Sequence, residues 1–253
     1  MDAVTSGAPV ILNIPADGVA LLQMCEPATH NSLNAAMVHA LIRMLQQAAN
    51  DPAFKVLVLS GLPDTFCAGA SREVLDAVMQ GMVPLAELDL PRHLLQCPVP
   101  VIAAMEGAAV GGGFALGLGA DVIMLAAESR YGFNFTDLGL SPGMGTTFLA
   151  REALGRAVAD ELMYSAEFRR GRDLAGAPGI NAVLPRAAVL DRAVDVAMRI
   201  ADKPRAVVTM LKETLTKDRL SGFHSARLAE CEMHQRCLTT AETGARIRSR
   251  YAG

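Results

Sequence analysis

Two glycine-rich segments constrain the fold of this chain most strongly, because each follows an apolar run and precedes a helical pattern. The first, Phe66–Ser71, comes after the apolar run Lys55–Ser60. The second, Glu106–Gly117, comes directly after Val101–Met105. A repeated order of strand, loop and helix is typical of a layered sheet whose parallel strands are buried on both faces. The sequence therefore predicts an α/β fold with two glycine loops at strand ends.

The remaining segments extend this alternation and then turn helical. A β-hairpin is predicted for Val10–Ile14 and Val19–Met24, followed by a helix over residues 35–49 that Asn34 can cap. Further strands are predicted at residues 122–126 and 181–185, and helices at residues 146–154, 157–165, 188–201 and 206–220. We therefore expect a core over residues 1–195 and a helical C-terminal region over residues 196–253.

Composition narrows the class of partner. A content of 51% hydrophobic residues in 253 supports a large buried core. The net charge of −3 provides no basic surface for nucleic acid, so such a partner is disfavoured. The apolar run 99–127 is interrupted by Glu106 and Asp121, which favours a buried core over a membrane helix.

The five cysteines form no CxxC pair, which fits a reduced protein, and no spacing typical of metal ligands occurs. We therefore expect neither metal nor cofactor. Because residues 1–10 have no basic region followed by an apolar stretch, no secretory signal is predicted and the expected location is the cytoplasm.

Glycine loops between strands and helices can point backbone N–H groups at a ligand, and the helix dipole adds positive potential. Two such loops could donate to one oxygen, as stabilisation of a thioester enolate requires. The run Gly111–Gly113 lacks both the GxGxxG spacing and a following Gly-Lys-Ser/Thr, so it predicts neither a dinucleotide site nor a Walker A loop. Tight helix-on-sheet packing explains such glycines equally well, and the spacing alone leaves both explanations open.

Several segments, in this order along the chain, resemble the signature segments of the crotonase (enoyl-CoA hydratase/isomerase) family. They are Pro27–Asn31, Val56–Ser60, Phe66–Ala70, Pro100–Gly107, Gly111–Gly113, Asp121 and Pro142–Gly145. The resemblance implies a spiral of ββα units, a C-terminal helical region involved in trimerisation and active-site closure, and a homotrimer or dimer of trimers. It also implies an acyl thioester substrate, on coenzyme A or an acyl carrier protein, whose oxygen accepts from the N–H groups of Ala70 and Gly112.

The chain departs from the hydratases of that family at both of their glutamates. By alignment with the family's segments, those positions are Ala115 and Phe135. Water addition needs a general acid and a general base, and neither alanine nor phenylalanine can act as one. Asp137, two residues further on, is the nearest substitute and a possible alternative acid or base, on which an isomerase or dehalogenase-like reaction would depend.

A second set of segments resembles a subgroup that decarboxylates a 3-methylglutaconyl group on an acyl carrier protein during polyketide β-branching. The matching segments are Cys67–Glu73, Ser141–Thr147 and Glu232–His234. The resemblance implies that His234 is catalytic, although a histidine at a helix edge is more often a packing residue. Glu230, one turn earlier, could hold its imidazole. The subgroup's lysine is replaced by Val78 in this chain.

The sequence therefore predicts decarboxylation of a 3-methylglutaconyl-type thioester, with Ala70, Gly112 and His234 as the catalytic residues. An apolar substrate pocket is predicted from Ala68, Val74, Val78, Phe133 and Phe135. A Δ3,Δ2-enoyl-CoA isomerase with Asp137 or His234 as base, and a non-catalytic thioester-binding protein, remain the alternatives. The sequence does not distinguish coenzyme A from a carrier protein, for which Arg169–Arg172 is a candidate basic patch.

Overall fold

The computed structural model describes residues 7–80, 89–238 and 241–250, which form two β-sheets covered by helices. The strands are β1 (Val10–Ala16), β2 (Val19–Met24), β3 (Val56–Ser60), β4 (Thr65–Cys67), β5 (Val101–Met105), β6 (Ala108–Val110), β7 (Val122–Ala126), β8 (Arg130–Gly132), β9 (Phe168–Arg170) and β10 (Ala182–Leu184). The helices are α1 (Ala35–Asn50), α2 (Arg72–Met79), α3 (Leu90–Leu95), α4 (Gly112–Leu118), α5 (Thr146–Leu154), α6 (Arg156–Ser165), α7 (Arg186–Ala201), α8 (Arg205–Leu238) and α9 (Ala241–Arg250). The predicted α/β alternation is confirmed.

The larger sheet has the strand order β1-β2-β3-β5-β7-β10, and all of its strand pairs are parallel except the β1–β2 hairpin. Successive side chains of a strand point to opposite faces, so one apolar strand can serve two helical layers. In β3, Leu57 and Leu59 join the core that α1, α3 and α4 cover, whereas Val56 and Val58 pack against α7. The continuous apolar runs of the sequence therefore mark strands that are buried on both faces.

The smaller sheet, with the order β4-β6-β8-β9, was not predicted from the sequence. Each of its strands has only three residues, which is too short for a periodic pattern. This sheet nevertheless places the glycine loops, because β4 and β6 pair in parallel with Thr65 opposite Ala108. The carboxyl ends of paired parallel strands lie at the same edge, so the loops that follow β4 and β6 emerge side by side.

The C-terminal helices join the core to the predicted helical region. Residue 195, the predicted boundary of the core, lies inside α7, because the apolar side of α7 from Val189 to Ala201 covers the larger sheet. Helix α8 continues well beyond residue 220, through Gly222, where the ring of Phe148 occupies the space that a Cβ would need. Within the described ranges, no helix combines the length and apolar character needed to cross a membrane.

Candidate active site

The two glycine loops are in direct contact at the edge of the smaller sheet. Gly69 has a φ of 84°, and a Cβ there would lie 2.7 Å from the carbonyl oxygen of Val110 and 3.7 Å from the backbone nitrogen of Gly112. A Cβ at Gly113 would collide with the backbone carbonyl of Cys67. Both positions therefore need glycine because one loop passes against the other.

Hydrogen bonds from the turn before α1 fix the first loop. Asn31 is fully buried, and its amide nitrogen donates to the carbonyl oxygens of Met24 (3.2 Å) and Phe66 (3.1 Å). The N–H of Leu33 donates to the carbonyl oxygen of Gly69 at 2.7 Å. The peptide unit between Gly69 and Ala70 is thus held on its carbonyl side, which sets the direction of the Ala70 N–H.

The second loop leads directly into a helix. Gly112 is the first residue of α4, so its N–H has no partner within that helix. The aligned peptide dipoles add positive potential at this terminus. Ala70 and Gly112 both line one cavity, so two different loops contribute backbone to the wall of the same space.

The cavity has an apolar wall. Of the predicted residues it includes Ala68, Ala70, Val78, Gly112, Phe135 and His234. Asn134 is the other polar side chain in its described wall, and Leu75, Leu138, Leu140 and Met144 extend the apolar surface. Among the described wall residues, His234 is the only one with a titratable side chain, and none carries a carboxylate.

His234 reaches the cavity from the last turns of α8 and is 4% exposed. Its Nδ1 lies 3.0 Å from the hydroxyl oxygen of Ser141. Burial lowers the pKa of His234 below 6.5, and a hydrogen bond with the backbone of Ser141 acts in the opposite direction. The imidazole is therefore mainly neutral at pH 7, and Nε2 is its remaining polar atom.

Ser141, and not Glu230, is the partner of the imidazole. The carboxylate of Glu230 accepts from the Gly145 N–H (2.7 Å) and from the N–H (2.8 Å) and hydroxyl (2.7 Å) of Thr147. Burial raises the pKa of Glu230, while these hydrogen bonds oppose the rise. Helical spacing alone suggested Glu230, whereas the resemblance of Ser141–Thr147 to the subgroup was the signal that pointed to this segment.

Three predicted residues lie away from the cavity wall. Phe133 is fully buried behind it, with ring centroids 5.2 Å from Phe114 and 6.1 Å from Phe135. Val74 is buried in α2 but does not reach the wall. Asp137 is exposed in the 3₁₀ turn Thr136–Leu138, because Leu138 is the residue of that turn that points inward. The structure thus brings together six of the predicted site residues and leaves these three outside.

The positions at which the resemblance implied departures from hydratases and from the decarboxylating subgroup carry apolar side chains in the structure. Ala115 is fully buried in α4, and Phe135 and Val78 line the cavity. Arg72, the nearest cation to Val78 along the chain, is exposed and lies 3.5 Å from the carboxylate of Asp76. Within the described residues, no cluster of three His, Cys, Asp or Glu side chains could bind a metal ion.

Comparison with known proteins places this site in a wider context. The family profile described as Enoyl-CoA hydratase/isomerase matches residues 15–250. The chain is 36% identical to the bacillaene synthase decarboxylase PksI of Bacillus subtilis over 224 residues, which cover 88% of this chain and 90% of that protein.

Solved structures agree with this similarity. One from a dehydratase/decarboxylase enzyme couple involved in polyketide β-branching has a TM-score of 0.92 and 33% identity, covering 97% of both chains. The ECH2 decarboxylase domain of CurF from Lyngbya majuscula has a TM-score of 0.90 and 34% identity, covering 97% of this chain and 100% of the domain. The chain therefore belongs to the enoyl-CoA hydratase/isomerase, or crotonase, family.

Proposed function

We propose that this protein decarboxylates a 3-methylglutaconyl-type acyl thioester in polyketide β-branching. The observation that carries the proposal is the apolar cavity that Ala70 and Gly112 line from two different loops and in which His234 is the only titratable side chain among the described wall residues. Similarity to PksI and to the CurF decarboxylase domain supports the reaction type.

In the proposed reaction, the bond between the carboxylate carbon and the γ carbon of the acyl group breaks. Its electron pair delocalises through the alkene onto the thioester oxygen, and carbon dioxide leaves. The N–H groups of Ala70 and Gly112 stabilise the dienolate oxygen, whose charge develops in the transition state. Loss of one such donor costs about 3 kcal/mol in other enzymes. A proton then adds to the α or the γ carbon and completes the product.

The apolar wall contributes because it replaces the water around the substrate carboxylate. A carboxylate concentrates its charge on two oxygens, whereas the dienolate spreads that charge and carbon dioxide is neutral, so a dry site favours the products of bond cleavage. Val78 and Phe135 supply apolar surface at the cavity wall. His234 positions the carboxylate or delivers the proton through Nε2, because its Nδ1 is engaged with Ser141.

Replacement of His234 tests this proposal. His234→Ala should reduce carbon dioxide release from 3-methylglutaconyl thioester by about 100-fold or more, the usual contribution of a positioned acid or base. His224→Ala is the matched control, because His224 lies on the same helix but is exposed and outside the cavity wall. Equal turnover by the two variants would contradict the assignment of His234.

The thioester carrier and the assembly are part of the same proposal. An acidic carrier protein would find exposed guanidinium groups at Arg170 and Arg172, and their replacement by glutamate should weaken turnover of the carrier-bound substrate only.

A homotrimer or dimer of trimers would cover apolar side chains that α8 exposes, among them Leu211 and Leu215. Light scattering of the purified protein measures that assembly directly.

A further inference from the structure

We infer that Ser141 is a positioning residue that holds the imidazole of His234 in both of its charge states, and that Glu230 fixes the segment that carries Ser141. The effect of this arrangement on turnover rests on the proposed function. The contact between Ser141 and His234 can be tested without it.

The hydroxyl of Ser141 suits a histidine that gains and loses a proton. A serine hydroxyl has one donor and two acceptor sites, and it rotates to suit its partner. It can donate to an unprotonated Nδ1 and accept from a protonated one, across the 3.0 Å that separates the two atoms. A carboxylate in that place would only accept, and it would favour the charged imidazole. Ser141 therefore lets the ring keep one orientation, with Nε2 left for the cavity.

The Ser141–Thr147 segment has a backbone that needs support. Met144 has a φ of 61° and Gly145 a φ of 73°, both in the left-handed region that residues with a Cβ rarely adopt. Gly143 and Met144 line the cavity, so a shift of this segment would change the wall as well as Ser141. The N–H groups of Gly145 and Thr147 both donate to the buried carboxylate of Glu230, which is 2% exposed.

Glu230 lies one helical turn before His234 on α8, so a single carboxylate joins the helix that carries the histidine to the segment that carries its partner. The ring of Phe223, on the same helix, occupies the space next to Gly145 where a Cβ would stand. Because α8 and the Ser141–Thr147 segment are fixed to each other at two places, the separation between Ser141 and His234 is defined by the backbone.

The charged groups around His234 are engaged elsewhere or exposed. On α8, Glu230 is bound to the segment as described, and Arg227 pairs with Asp89 at 2.9 Å. On α9, Glu242 and Arg246 pair with each other at the surface, at 2.8 Å. Helix α2 and the 3₁₀ turn Thr136–Leu138 contribute only apolar side chains to the cavity wall. Among the described residues, burial and the hydrogen bonds with the backbone and the hydroxyl of Ser141 are thus the local influences on the imidazole.

An NMR titration of the His234 imidazole in the full-length protein tests the inference independently of turnover. Ser141→Ala should change the ¹⁵N shifts of the imidazole throughout the titration, because the hydroxyl that bonds Nδ1 in both charge states is lost while the backbone of Ser141 remains. Ser141→Thr, which keeps a hydroxyl, should restore the wild-type titration. Glu230→Gln should leave the pKa of His234 unchanged but lower the thermal midpoint of unfolding. If Glu230→Gln does not fold, Thr147→Val is used instead, because it removes the hydrogen bond from the Thr147 hydroxyl to the Glu230 carboxylate.

Turnover is measured on the same variants as a function of pH. Ser141→Ala should lower kcat about tenfold, the effect of one lost hydrogen bond, and Ser141→Thr should restore it. Ser225→Ala, at an exposed serine of α8, is the control and should match the wild type. Unchanged ¹⁵N shifts of the His234 imidazole in Ser141→Ala, or a change in Glu230→Gln as large as that in Ser141→Ala, would overturn the inference. If the wild type releases no carbon dioxide but Ser141→Ala still changes the ¹⁵N shifts, the proposed function fails and the positioning role stands.

Discussion

The contact between the glycine loops can be broken by one methyl group. In Gly69→Ala, the new Cβ would lie 2.7 Å from the carbonyl oxygen of Val110, closer than real Cβ contacts. The two loops would then have to move apart by a few tenths of an ångström. Because Ala70 directly follows in the chain, its N–H would move relative to that of Gly112, and the two groups could no longer meet one oxygen at hydrogen-bond distance.

Two separate costs follow from this substitution. The left-handed φ of 84° at Gly69 is unfavourable for alanine by about 1–2 kcal/mol, part of which is offset by the lower entropy of the unfolded chain. A net loss of about 1 kcal/mol lowers the thermal midpoint by about 2–4 °C for a chain of this size. The displaced donor costs up to about 3 kcal/mol more, but only in the transition state, and so reduces kcat/KM by about 100-fold.

Gly176→Ala is the matched control for these two effects. Gly176 has nearly the same φ, 85°, yet a Cβ there would meet no atom within 4 Å. Both variants should lose the stability that the left-handed φ costs, and Gly69→Ala should lose more because its Cβ also meets the backbone of Val110, whereas only Gly69→Ala should lose carbon dioxide release in a steady-state assay. Equal activity of the two variants would refute the idea that the close approach of the loops creates the site.

Other predictions concern buried groups. Lys212→Met should lower the free energy of unfolding in urea by about 3 kcal/mol, because it leaves the carboxylate of Asp121, 2.6 Å away, without its buried partner; an unchanged value would contradict this. Cys67 should resist iodoacetamide at pH 8 in the native protein, since burial raises its pKa to about 12, and rapid labelling would refute that burial. Burial holds the pKa of His234 in the folded protein below 6.5, so the wild type should lose stability relative to His234→Asn as the pH falls through 6.5. A gain of stability over that range in urea titrations would contradict this prediction.

The main features of the fold could be predicted because burial and periodicity mark them. Apolar runs such as Val101–Met105 appear as fully buried strands, and the predicted bounds of α5 agree with the structure. The smaller sheet could not be predicted, because its three-residue strands have no period. Helix α8 joins the predicted helix over residues 206–220 to the helical segment that carries His234, across Gly222, which has no helical signal of its own and leaves room for the ring of Phe148.

The sequence placed most of the candidate cavity residues along the chain but did not predict which of them reach the cavity wall. Phe133 and Phe135 are both apolar and two residues apart, yet only Phe135 reaches the cavity, because Phe133 fills the space against Phe114. The partner of His234 lies 93 residues away along the chain, so helical spacing could suggest Glu230 but not Ser141. Contacts of this kind depend on the packing of α8 against the Ser141–Thr147 segment, which no local pattern contains.

Intact-protein mass spectrometry of an acyl carrier protein loaded with a 3-methylglutaconyl group is the most direct test of the central claim. After incubation with the wild-type protein, the proposed reaction predicts loss of the mass of carbon dioxide from the loaded carrier, and a much slower loss with His234→Ala. A gain of the mass of water would instead identify a hydratase. An unchanged mass, on the carrier protein and on the corresponding coenzyme A thioester, would contradict decarboxylation and point to an isomerase or a non-catalytic thioester-binding protein.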